Sequence, residues 1–143
     1  MAYEGFAEYA AKKILEHAMG KTSWTMPTNV YVALYNGDPL GAGAELSDPP
    51  DTDYAREQTS GTDWAAAAFV SPTASIANAA DIDFGTSGAA WGTVDYVAIF
   101  DAATDGNMIA TGALVSSVNI TSGIPVKFPI GALVVRYTQD TIA

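Results

Sequence analysis

Two strand-like arms flank a tight reversal late in the chain, and few folds accommodate such a pair. Trp91–Asp101 is rich in β-branched and aromatic residues, and Met108–Val115 is short and apolar. Between them Asp105-Gly106-Asn107 places a glycine where a reversal needs positive φ. The spacing predicts a β-hairpin with a loop longer than the minimal two residues. Strict alternation puts Val94, Tyr96, Ala98 and Phe100 on one face of the first arm, and Thr93, Asp95, Val97 and Ile99 on the other. Both faces are apolar toward Phe100, so the arm has cover on both sides there. An inner strand of a β-sandwich meets that description.

The rest of the chain supplies partners of the same kind. Val30–Tyr35 reads as a strand with Val30, Val32 and Leu34 opposite Tyr31, Ala33 and Tyr35. Tyr54–Gln58 returns to the sheet, and Trp64–Val70 reads as a short strand or bulged edge despite its alanine run. Ser75–Asn78 and Asp81–Phe84 form one bent strand or two short ones. Val115–Ile120 and Pro125–Ile130 flank a reversal, and Gly131–Thr138 makes the last strand. One helix stands apart: over residues 4–19, Phe6, Ala10, Ile14 and Ala18 recur at i+4, and Gly20 is a natural stop. Residues 38–53, with Pro39, Pro49 and Pro50, form a long irregular excursion, read equally as solvated loop or contact loop. The expected fold is mainly β: a single antiparallel, jelly-roll-like sandwich domain spanning 1–143, with one N-terminal α-helix and about seven to nine short strands.

Composition narrows the chemistry. Sixteen acids against six bases give a net charge of −10, which repels nucleic-acid phosphates and anionic membranes, so neither is expected as a partner. Only 15% of residues are charged, which suits a surface with extensive protein contacts. Absence of cysteine removes thiolate metal sites and thiol nucleophiles. The opening Met-Ala-Tyr-Glu-Gly has no basic region before an apolar run, so no signal peptide is expected. His17 is the lone histidine, no Gly-x-Ser-x-Gly or phosphate-cradling glycine loop occurs, and Asp81 and Asp83 sit about 7 Å apart on one strand face without a cleft. Asp101, Thr104, Asp105 and Asn107 gather oxygens, yet Asp-Gly-Asn is ordinary turn chemistry. No catalytic residue, cofactor or metal site is expected. Aromatic residues Trp24, Tyr31 and Tyr35 offer an alternative glycan- or receptor-stacking platform, against the plainer reading as core and edge packing.

Gly20-Lys21-Thr22, then Pro27–Tyr35, Glu45 in a Gly/Asp/Pro loop, Tyr54-Ala-Arg56, Ser75–Phe84, Trp91–Val94, Ile99–Ala102, Gly106-Asn107 and Gly112–Leu114 follow one another in an order that resembles small tailed-phage virion proteins, often labelled tail-fibre proteins. Asp105 and the Pro49-Pro50 stretch depart from the pattern, both in loops. The resemblance implies a non-enzymatic structural protein of the virion, assembled in the host cytoplasm. The resemblance leaves the place on the particle open; a compact sandwich of this kind is expected as an accessory decoration or cement block on the particle exterior, with a tail-associated receptor- or glycan-binding module as the alternative. Partners would be major capsid or tail proteins and further copies of the chain; from the residues themselves, the helix with Phe6 and Ile14 and the 38–53 loop with Leu46 and neighbouring Tyr54 are the expected contact elements.

Overall fold

The computed structural model describes residues 5–46 and 53–138. In chain order the elements are β1 (Gly5–Phe6), α1 (Glu8–Ala18), β2 (Asn29–Asn36), β3 (Ala44–Glu45), β4 (Glu57–Ser60), β5 (Ala68–Val70), β6 (Thr73–Ala77), β7 (Ile82–Thr86), β8 (Gly92–Phe100), β9 (Met108–Ile120), β10 (Pro125–Phe128) and β11 (Val134–Thr138). A short 3-10 turn, Gly61–Asp63, follows β4.

The described residues are mainly β, with one α-helix and antiparallel sheets, as the hydrophobic pattern predicts. The large sheet runs β1-β9-β8-β2-β3, with β4 also on β2. Opposite it lie two small sheets, β10-β7 and β11-β6-β5. Pairing is nested: β8 with β9, β7 with β10, β6 with β11. A long hairpin folded over itself gives that order, which is the logic of a jelly roll. The main core lies between the layers. Val32, Leu34, Val97 and Ile99 of the large sheet meet Ile82 and Phe84 of β7 and Leu133 just before β11.

Two β-bulges change which residues share a face. Val94 pairs with Val118, but Tyr96 pairs with Ala113, so one β8 residue, Asp95, opposes the β9 stretch 114–117. Alternation therefore breaks at Asp95. Val94 joins Val97 and Ile99 in the main core, while Tyr96, Ala98 and Phe100 cluster with Ala33, Tyr35 and Met108 on the outer face. The expected grouping of Val94 with Tyr96 is thus corrected. Asp95 is held where it is because its carboxylate accepts the Gly37 N–H at 2.6 Å. The same irregularity makes Val115–Ile120 the continuation of β9 rather than a separate strand.

The helix begins four residues later than expected. Gly5 and Phe6 pair with Thr111 and Ala110 of β9, and Gly5 has φ +125°, outside helical space. The Ala7 N–H then donates to Ile109 O, and the chain turns into α1. Gly20, at φ +71°, ends that helix as expected, and α1 packs against β9. No helix among the described residues is long and apolar enough to cross a membrane.

Asn78 joins the two small sheets. It is 1% exposed; its amide donates to Ala80 O and Pro129 O and its Oδ1 accepts from Leu133 N. These are neutral hydrogen bonds in a buried setting, where each partner depends on the others for its satisfaction.

Candidate contact surfaces

The excursion at 38–53 leaves β2 through a reversal at Gly37–Gly43. Here the backbones approach so closely that a Cβ on Gly43 would clash with Gly37. The chain returns as β3, with Glu45 opposite Tyr35. Arg56, just before β4, reaches across and binds Glu45 in a fork, Nε to Oε1 at 2.9 Å and Nη2 to Oε2 at 2.8 Å. Its Nη1 donates to Ala102 O and Asp105 O in the β8–β9 turn, and its guanidinium lies 3.7 Å over the Phe100 ring. The Tyr54 hydroxyl accepts from Leu34 N at 3.0 Å and donates to Glu45 Oε1 at 3.1 Å. Burial holds that hydroxyl well above its ordinary value, and Glu45 adds to the rise. The bond to Glu45 likewise raises Arg56. A cleft of about 330 Å³ opens beside this clasp, lined by Tyr54, Arg56 and Thr104 among others. Every donor of the guanidinium named above is already engaged, so the clasp fastens loops to the sheet.

The expected contact residues separate. Leu46 is 7% exposed and belongs to the main core. Tyr54 packs between Phe84, ring centroids 6.3 Å apart, and Trp91, 5.4 Å. Both face inward, because β3 and the clasp fold this end of the excursion onto the sheet; residues 47–52 lie outside the described residues. Ile14 is half-buried on α1, and Phe6 is exposed on β1 rather than on the helix. The aromatic platform does not converge. Trp24 lies edge-on to Tyr9 of α1 and its backbone N–H donates to His17 Nδ1. Tyr35 is buried, stacked near Phe100 at 6.4 Å, while Tyr31 is half-buried at the start of the same strand.

The expected acid and turn chemistry resolves into local bonding. Asp81 pairs with Lys127 at 2.7 Å and accepts the Ile130 N–H, which holds its carboxyl below the usual range. Asp83 accepts the Gly85 N–H. Asp101 accepts both the backbone and the side-chain N–H of Asn107. Among the described residues, no three His, Asp or Glu side chains gather at metal-ligand spacing.

Among the described residues, two apolar features stand out on the sheets. Where β9 swings away from β8, a slot of about 160 Å³ opens against β10, lined by Leu34, Val94, Leu114, Val118, Ile124 and Phe128. The second is the outer edge of the small sheet at β5, where Phe69 is 59% and Val70 78% exposed.

The family model described as podophage GP4 fiber I protein gp80 matches residues 5–136. The chain belongs to that family. No curated protein matches it. The match bears out the resemblance to small tailed-phage virion proteins, and with it a structural role in a phage particle.

For this gp80-family chain, sequence reasoning missed the Arg56–Glu45 fork, the slot and the β5 edge. The fork left no local trace, since its partners come from separate segments. The edge did leave one: no charged residue occurs between Asp63 and Asp81, although Phe69 and Val70 fall in that stretch.

Proposed function

We propose that the chain is a subunit of a phage fibre, built into the particle exterior through protein–protein contacts and carrying no enzymatic activity of its own. The family match across residues 5–136 is the observation that carries this reading. The geometry supports it: Asp101 is used in a turn and Asp81 in an ion pair, while apolar surface is left open at the slot and at β5. Assembly would take place in the host cytoplasm, and the partners would be other tail proteins. Many modest contacts suffice when a symmetric particle presents many sites.

Immunogold labelling of purified particles tests the reading. Label on fibres is the expected result. Label spread over the shell would replace fibre by the decoration role, and particles free of the chain would overturn both.

A further inference from the structure

We infer that copies of this chain join head to tail, the β5 edge of one copy seating Phe69 in the apolar slot of the next. This deepens the fibre reading and rests on it only for where the assembly occurs. The slot exists because the β8–β9 ladder lapses between Val94–Val118 and Tyr96–Ala113, leaving β9 residues 114–117 without a β8 partner. β1 covers β9 only at Ala110 and Thr111, and β10 pairs with β7 alone, so strand edges flank the opening. The volume of about 160 Å³ suits one phenyl ring, since an aliphatic-lined cavity of about 150 Å³ accepts benzene.

The matching projection is Phe69. β5 pairs with β6 on one side and has no partner on the other among the described residues. Natural sheet edges are usually protected by lysine, proline or a bulge, and Ala68-Phe69-Val70 has none of these. Phe69 stands opposite Ala74, which stands opposite Tyr137, itself 60% exposed.

Charge favours a second copy as the occupant. The chain carries −10, so most of its surface repels its own kind, yet no charge occurs between Asp63 and Asp81 or between Asp105 and Lys127. Those two stretches hold the projection and most of the slot. Lys127, at the slot rim, is already paired with Asp81. Across the sheet Arg136 stands opposite Ser75, itself opposite Ala68, so the projection has a basic neighbour that suits a partner of net charge −10.

The two surfaces are separate on the molecule: Phe69 is exposed and is not among the residues lining the slot. The Tyr137 ring is 6.4 Å from that of Phe6, which pairs with Ala110. Ala110 pairs with Ile99 and Val118 with Val94, so the slot around Val118 lies on the order of 16 Å further along β8 at the usual strand rise. One copy therefore does not fill its own slot, and the contact is heterologous, which repeats into a line or ring. The patch is smaller than the roughly 800 Å² per partner of a standard interface, so the contact is weak until the particle arrays it.

The chain has no cysteine, so single thiols report cleanly. Ala68→Cys beside the projection and Ser117→Cys beside the slot each keep Phe69 and the slot lining. Mixed at high concentration under mild oxidation, the two variants should form a disulfide heterodimer about tenfold faster than either cross-links alone, because docking raises the effective thiol concentration. Adding Phe69→Asp to the Ala68→Cys chain should abolish that advantage, with unchanged circular dichroism showing that the fold survives. Equal rates in all mixtures would overturn the inference. So would faster cross-linking of Ala68→Cys with itself, which would mean a symmetric edge pair. Cross-linking is read on the purified chain, so its failure is separate from a failure of particle labelling.

Discussion

Tyr54→Phe removes one oxygen from the centre of the clasp and leaves the ring against Phe84 and Trp91. Leu34 is 2% exposed, so its N–H loses the hydroxyl acceptor without gaining water. A buried donor left unpaired costs about 1–3 kcal/mol. The lost bond to Glu45 adds less, because Glu45 keeps its fork with Arg56 and its side chain is 26% exposed. The sum is about 2–3 kcal/mol, or roughly 6–12 °C in melting temperature for a chain of this length. Urea unfolding at neutral pH measures the first figure, with Tyr137→Phe as the exposed control. An alkaline series gives an independent reading. The folded-state hydroxyl is raised above its ordinary value of 10.0, so its contribution is complete below that pH. Stability is then lost as pH rises, because the unfolded tyrosine ionises first, at about 1.4 kcal/mol per pH unit. Tyr54→Phe should lose less stability across that window than the native chain does. A change under about 0.5 kcal/mol at neutral pH, within the range of ordinary surface substitutions, would refute the argument, as would identical alkaline slopes.

Other perturbations follow from the same geometry. Asn78→Ala strips the joint between the small sheets, leaving Leu133 N–H without its acceptor and the Ala80 carbonyl without the amide, while Pro129 O keeps its bond from Ala132 N–H; a loss of about 2–3 kcal/mol in urea unfolding is expected. Glu57 is raised by burial, then by Asp83 and Asp63, so its ionised form opposes folding at neutral pH. Glu57→Gln should therefore raise the melting temperature at pH 7, with the gain vanishing in acid below the ordinary value of 4.5, where both states are protonated. Asp63 is lowered by the Ser60 N–H and hydroxyl, so its contribution is present above the usual aspartate range and lost as pH falls; Asp63→Asn should flatten the acid limb of the melting curve.

The β8–β9 hairpin and β2 were legible because alternation and turn chemistry are local. Gly106 marks the reversal, and Val30–Tyr35 lies within the observed β2. Face assignments failed at Val94, because a bulge at Asp95 is set by a hydrogen bond to distant Gly37 and leaves no mark in a strand pattern. Phe6 fitted the helical period, yet pairing with Ala110 decided its place. Local periodicity yields to a long-range strand partner there. Leu46 looked like a loop residue with surface to offer, and only the return of β3 onto β2 shows that it is core. Contact surfaces were the least legible, since exposure at Phe69 and the hollow at Val118 depend on which strands lack neighbours.

A reconstruction of the intact particle at a resolution that separates strands is the most direct test of the structural role. It should show this sandwich in the fibre, repeated end to end, with density covering β5. A particle lacking the fold, or one in which the chain stands alone with both apolar surfaces facing solvent, would contradict the account.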